Sequence, residues 1–448
     1  MQPKKSDRQR SFLCPDLIDQ LDPRNHILGL AKAIPWQVFE DSFHPLYAAS
    51  GRPAKPVRWM VGLLILKQLE NLNDERVVEI WVQNPYFQAF CGQQRFTWKL
   101  PCDPSELTYF RRRIGEDGVR KIFEVSVTLH GDKAKEEQVV VDSTVQEKNI
   151  TFPTDAKLLT KIVTRCRIMA KLEDVKLRRS YQREVKKLLR IIRFKSKGRK
   201  QGEAQRAINR LRTIAGVLIR EMKRKLPPEA LEAHQQSLDL YDRVQRQQRS
   251  DTGKNYSLHE PNVSCISKGK AHKKYEFGAK ASVTVTKSSG IIVGALSFPD
   301  NPFDGHTLPA VLSQVESIVG KRPTMAICDR GYRGKRQIGA TRIEIPESGK
   351  GPKTEHEKRK ARERFRRRAA IAPIIGHLKS DHRMMRTYLK GRIGDSVNLC
   401  MACAAFNFRK FIRLLYFLCL KLLWHIFRPN VRPVQACACR TVFRVFQG

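Results

Sequence analysis

A valine run ending in an acid, and the long interruption after it, restrict the fold of this chain more than any other feature. "EEQVVVDSTV" (136–145) has the β-branched density of a buried strand and carries Asp142. Strand patterns resume only at 275–299, where "YEFGAKASVTVT", Gly290 and "IIVGALSF" alternate and turn as a hairpin does. Between them, from Lys157 to about Arg249, the period changes to that of long basic helices. Val185, Leu188, Leu189 and Ile192 form one apolar stripe. Leu211, Ile214, Ala215, Leu218 and Met222 form a second, beyond the basic turn "RFKSKGRK". The pattern predicts an antiparallel helical hairpin inserted into a larger domain. After the strand hairpin come a helix ("DGHTLPAVLSQVESIV"), a short buried strand running into Asp329 ("PTMAICDRGYRG"), a strand ("TRIEIPES") and a long helix ("RERFRRRAAIAPIIGHLK"). This is an α/β order broken open after its first strand.

Residues 56–125 predict a small helical module. Val61, Leu64, Ile65 and Leu69 recur at helical spacing, "NLND" turns, and Asn73 or Asp74 caps a second helix bearing Val77, Val78 and Trp81. Asp103, followed by Pro104 and then Glu106, is a reciprocal capping pattern. The helix it starts carries Arg111, Arg112 and Arg113 and stops near Gly115. Such helices suit a helix-turn-helix DNA reader, and equally a plain bundle with a solvated charged face. The charge balance bears on that choice. Lys and Arg total 85 against 44 Asp and Glu, a net +41 whose self-repulsion a polyanion relieves. Nucleic acid is the usual polyanion, although a structural RNA binder or an anionic-membrane binder shares the footprint. No membrane span is expected, because "FIRLLYFLCLKLLWHIF" (411–427) is interrupted by Arg413, Lys421 and His425 and falls short of about 20 clean residues. The 11 cysteines are scattered and follow no secretory signal, so reduced thiols and a cytoplasmic location are expected. Cys400-x-x-Cys403 and Cys437-x-Cys439 have no second pair at zinc spacing.

Two strand-borne aspartates suggest chemistry. If their strands are neighbours, Asp142 and Asp329 can hold Mg²⁺, a hard ion that takes oxygen ligands and leaves room for substrate phosphate. Paired ions of this kind activate an attacking water or 3′-OH and stabilise a leaving oxygen. Taken singly, either aspartate reads as a surface acid.

Several blocks, in order from about residue 10 to 410, resemble the bacterial DDE transposases of the insertion-sequence-five group. They include "GRPAKPVRWMVGLLILKQLENLNDERVVEIWVQNPYFQAFCG", "LPCDPSELTYFRRRIGEDG", "VDSTVQEKNITFPTDAKLL", "HEPNVSCISKGKAHKKYEFGAKASV", "DGHTL", "DRGYRG" and "IAPIIGHLKSDHRM". The resemblance implies an RNase H-like α/β core, binding of terminal inverted repeats, DNA transposition and a divalent metal, Mg²⁺ or Mn²⁺. It makes Asp142 and Asp329 the first two catalytic acids and metal ligands. The third acid of the family lies in Ile-Glu-Pro-x-Ile-Gly-His-Leu-Lys, and here Ala372 occupies its place between Ile371 and Pro373. Glu363 and Asp381 each lie nine residues away, which at about 100° per residue faces them across a helix. His377 and His382 are nitrogen donors ill matched to magnesium. The expectation is therefore a two-acid site that binds metal weakly and cleaves little or nothing.

The same reading gives four parts. These are an N-terminal helical DNA-binding domain (1–130), a core (131–156 and 255–410), a basic helical insertion (157–254) and a C-terminal helix and tail (411–448). Phosphate contacts are expected from Lys268, Lys270, His272, Lys273 and Lys274, and from Arg330, Tyr332 and Arg333 beside Asp329. His377 and Lys379 are expected to meet DNA beyond the metal. Asp304 and His306 read more simply as a helix cap, and Trp59, Trp81 and Trp98 as core. The partner is double-stranded DNA, engaged by a homodimer because two element ends must be held together. The competing expectation is a non-catalytic DNA-binding repressor derived from such an enzyme.

Overall fold

In the computed structural model, residues 15–48, 50, 53–195, 201–248, 250–267, 273–346, 354–356, 359 and 369–427 are described. They divide into two units: residues up to Ile114 with Thr128–His130 and those from Ala404 on, and Gly115–Val127 with Gly131–Cys403.

The first unit is helical: α1 (His26–Ala33), α2 (Trp36–Phe43), α3 (Val57–Leu69), α4 (Asp74–Gln83), α5 (Pro85–Phe90) and the first half of α6 (Pro104–Thr128). Its central element is α3, in which Val57, Met60, Val61, Leu63, Leu64, Ile65, Leu66 and Leu69 are all buried. Gly62 lets α5 approach, since a Cβ there would meet the Cys91 Sγ at 2.8 Å. The capping signals work as read. Asn73 accepts from the Arg76 N–H at 2.7 Å. The Glu106 carboxylate accepts from the Asp103 N–H at 3.0 Å, and Asp103 from the Ser105 N–H at 2.8 Å. Helix α6 breaks at Gly115, whose φ of 62° suits glycine, and the boundary between the units falls there.

The second unit is a mixed α/β arrangement consistent with an RNase H-like core. β1 (Gln138–Lys148) is followed by α7 (Asp155–Leu172), α8 (Gln182–Lys195), α9 (Gln201–Lys225) and α10 (Pro228–Arg246). Then come β2 (Ser264–Ile266), β3 (Glu276–Thr286), β4 (Ile292–Phe298), α11 (Asp304–Val319), β5 (Met325–Ile327), β6 (Gln337–Ile338) and β7 (Thr341–Glu344). α12 (Ile371–Ser380), β8 (Arg386–Thr387) and the first part of α13 (Gly391–Phe427), as far as Cys403, complete it. The sheet runs β2-β3-β1-β5-β7-β6, with β4 also on β3 and β8 also on β1. β1, β5 and β7 are parallel, while β3 is antiparallel to both β1 and β4.

Three expectations change. The insertion holds four helices with a core of its own, not a hairpin. The α8 and α9 stripes pack with Leu158, Ile162 and Cys166 of α7 and with Leu238, Tyr241 and Val244 of α10. Residues 115–127 belong with the second unit and those from 404 on with the first, because long-range packing draws those boundaries inside helices that local pattern reads as continuous. Of the long helix read over 362–379, the described part is α12, which places Pro373 in the first turn, where its missing N–H costs nothing. No helix among the described residues is long and apolar enough to cross a membrane.

Candidate catalytic site

β1 is buried along almost its whole length, and Asp142 is one of its few half-exposed positions. The pairing of its edge explains why. β5 pairs with β1 at Gln138–Val140 and β8 pairs with it at Glu147–Lys148, so the sheet opens between them, where Asp142 sits. Val139 lies opposite Ala326 and Val140 opposite Ile327. The paired stretch ends two residues before Asp142 on β1 and two before Asp329 on the other chain segment. The chain leaves β5 after Cys328, whose N–H still bonds the Glu344 carbonyl at 2.9 Å, and turns at Asp329. There the Asp329 Oδ1 accepts from the Gly331 N–H at 2.9 Å. On β1 the Asp142 Oδ1 accepts from the Ser143 N–H at 2.8 Å. The two acids expected to act together are thus carried by neighbouring parallel strands, Asp142 within β1 and Asp329 just past the end of β5.

A third carboxylate lies on the Asp329 side. A Cβ on Gly331 would stand 3.0 Å from the Asp329 Oδ1 and 3.1 Å from the Asp304 Oδ2, so glycine leaves a cradle between two acids. Asp304 is not the helix cap that its sequence suggested. It is the first residue of α11, and its carboxylate pairs at 2.8 Å with the buried Lys280 of β3, which also bonds the Pro302 carbonyl. Lys280 was missed by sequence reasoning. Its signal was a lone lysine inside the otherwise apolar "FGAKASVTV". The Tyr332 hydroxyl is buried without a well-formed hydrogen bond, the Ser143 side chain being a polar neighbour. Burial, then the charges of Asp304, Cys328 and Asp142, push its ionisation well above the usual tyrosine range.

Ala372 is exposed in the first turn of α12, which packs against β1. Asp381 does not replace the missing acid. It caps the far end of that helix, accepting from Ser380 at 2.6 Å and bonding His377 at 2.8 Å. Hydrogen bonds from Ser380, then His377, lower its carboxyl from the ordinary value. Glu363 lies outside the described residues. Cys400 and Cys403 are buried thiols of α13, and the Cys400 Sγ donates to the Ala295 carbonyl at 3.8 Å.

The residues expected to touch DNA are not equivalent. Arg330 and Arg333 are exposed beside Asp329, His377 is exposed and Lys379 half-buried on α12. Lys273 pairs with Glu147 of β1, and Lys274 lies 5.4 Å from the Tyr275 ring. Lys268, Lys270 and His272 lie outside the described residues. Trp81 is core, while Trp98 is 81% exposed, against expectation. Arg112 and Arg113 are exposed, the latter over the Tyr47 ring, but Arg111 turns inward to bind both oxygens of Asp74, at 2.8 and 2.6 Å. Burial would raise the Asp74 carboxyl, yet Arg111 and Lys67 outweigh it and hold it at about 2, below the ordinary 3.8. The contribution of Asp74 to stability is therefore complete above pH 3.8 and lost as pH falls toward 2. Arg111→Ala should cost about 2–3 kcal/mol, since it takes two charged hydrogen bonds from a largely buried carboxylate and leaves it with Lys67, whereas Arg112→Ala should stay within about 0.5 kcal/mol. Urea unfolding of both variants at pH 7 checks this, and equal midpoints would refute the structural role of Arg111.

Residues 15–113 match the family described as Transposase domain (DUF772), and residues 244–408 match the Transposase DDE domain, together more than half of the chain. The chain is 40% identical over 193 residues to an uncharacterized protein, ORF8 in the nfe locus of Rhizobium meliloti, covering 42% of this chain and 93% of that protein. No solved structure gives a significant match.

Proposed function

Because this chain belongs to the DDE-domain transposases, we propose that it is an insertion-sequence transposase of the insertion-sequence-five group that binds the terminal inverted repeats of its element. The observation that supports the reading is the parallel pairing of β1 with β5, the strands that carry Asp142 and lead to Asp329, beside the stretch of β1 left open between β5 and β8. Among the described residues no group of three or more His, Cys, Asp or Glu side chains is arranged to hold a metal. Hard carboxylates nevertheless fit an ion that completes its shell with water and substrate phosphate, and the Asp329 carboxylate faces the open space that Gly331 leaves. Asp142 and Asp329 would hold Mg²⁺ or Mn²⁺, which when bound activates a water or 3′-OH and stabilises the leaving oxygen. Arg330 and Arg333, exposed at the same turn, neutralise phosphates as DNA approaches. The helical unit and the basic insertion supply the wider phosphate contact, and a homodimer holds two ends in the cytoplasm, on the bacterial nucleoid.

Alanine at position 372 supports a second reading, a non-catalytic derivative that occupies element ends and represses active relatives. Both readings require end recognition. Fluorescence anisotropy with terminal-repeat and scrambled duplexes should show a preference of about a thousand-fold at physiological salt. Equal affinity for both, with only a steep salt dependence, would mean a charge-driven binder of nucleic acid and defeat both readings.

A further inference from the structure

Asp304 is placed for a role that the Asp142–Asp329 reading leaves unassigned. Its Oδ1 is held by Lys280 at 2.8 Å, and its Oδ2 lies across the Gly331 cradle from the Asp329 Oδ1. The Asp304 side chain is 21% exposed, so solvent reaches it, while Lys280 is only 7% exposed and fixed to β3. A surface ion pair would not bury its lysine this way, because burying an ammonium is costly unless its partners are fixed. The second observation is the Tyr332 hydroxyl. It belongs to a residue 1% exposed, has no well-formed hydrogen bond, and feels the charges of Asp304 and Asp142. A buried hydroxyl left unbonded costs about 1–3 kcal/mol, which a bound water or ligand oxygen at that place would recover.

We propose that Asp304, positioned by Lys280, is an additional carboxylate of the divalent-cation site, reaching the ion through water on the Asp329 side, with the Tyr332 hydroxyl bonding that water. The proposal rests on the cation-binding reading of Asp142 and Asp329. It gives the site a third acid where position 372 supplies none. The aspartate acts through solvent and is a positioning residue, which agrees with the absence of a direct three-ligand cluster among the described residues. Partners of this outer kind are worth about ten- to a hundred-fold in metal affinity.

The test is Mn²⁺ affinity of the full chain without DNA, read from the free-ion electron paramagnetic resonance signal. Asp304→Asn alone would mislead, because it leaves Lys280 as an uncompensated cation. The deciding variant is Lys280→Met/Asp304→Asn, which exchanges one neutral pair for another. It should bind Mn²⁺ at least about tenfold more weakly than the parent, while Lys280→Met alone should bind as tightly or more tightly. If the double variant binds like the parent, Asp304 is only the partner of Lys280 and the proposal falls. Should the double variant not fold, Lys280→Gln/Asp304→Asn removes the same carboxylate and keeps a hydrogen-bonding pair in its place. Weakened binding then supports the proposal and parent-like binding overturns it. Asp142→Asn separates the two levels. If it too binds like the parent, the cation reading itself fails, but if it loses Mn²⁺ while the double variant keeps it, only the role of Asp304 is lost.

Discussion

Ala372→Glu is expected to raise Mg²⁺-dependent cleavage of element-end DNA by about a thousand-fold over the chain as it stands. A complete metal site contributes several kcal/mol of charge stabilisation, and each ~1.4 kcal/mol is a factor of ten. The local structure accepts the change. Position 372 is exposed, lies in the first turn of α12 and is followed by a proline that the first turn tolerates. An acid near a helix N-terminus is favoured by the helix dipole, so stability should move by no more than about 0.5 kcal/mol. A change in cleavage without a change in melting temperature would thus report chemistry, not folding. The assay is a cleavage and strand-transfer reaction on labelled ends, with both proteins side by side. Equal cutting by the two would show that another residue completes the site and that position 372 is irrelevant to it. Failure of both, with end-specific binding retained, would favour the repressor.

Lys148→Met should be the most destabilising single change in the second unit, by about 3–5 kcal/mol, since removing one member of a buried ionic cluster leaves charge uncompensated. The Lys148 Nζ, 4% exposed, donates to the carbonyls of Leu389 and Gly391 at 3.0 and 2.9 Å and to the Asp395 Oδ1 at 2.9 Å, with the Glu260 Oε2 at 3.4 Å. Glu260 also accepts from the Gly391 N–H, and Gln146 donates to the Asp395 carbonyl. These contacts tie the end of β1 to the segment that leads into α13. Burial raises the Asp395 carboxyl from 3.8 to about 6 even though Lys148 opposes it. An acid raised in the folded state adds stability that is complete below pH 3.8 and lost as pH rises through about 6. Without Lys148 nothing offsets the burial of a charged Asp395, and the variant recovers most when that carboxyl is protonated. Its deficit in urea midpoint should therefore be larger at pH 8 than at pH 5. An equal deficit at both pH values would mean that Lys148 acts by packing alone.

Much of this molecule could be read from residues close together in the chain. The strand carrying Asp142, the hairpin around Gly290, the extent of α11, the caps at Asn73 and Asp103 and the break at Gly115 all follow from periods and turn chemistry a few residues long. The apolar stripes of α8 and α9 were legible for the same reason.

What required the tertiary structure was every relation across distance. No local pattern makes β1 and β5 neighbours or fixes their register, because register comes from pairing strands whose sequences lie far apart. The inward turn of Arg111 depended on Asp74, and the change of Asp304 from cap to ion-pair partner depended on Lys280. Lys148 likewise became a buried hub only once Glu260 and Asp395 closed around it. The sequence by itself determined which acids and cations were available and on which elements they ride. Folding decided which of them meet, since an isolated charge has no stable place in the interior until a distant residue supplies its partner.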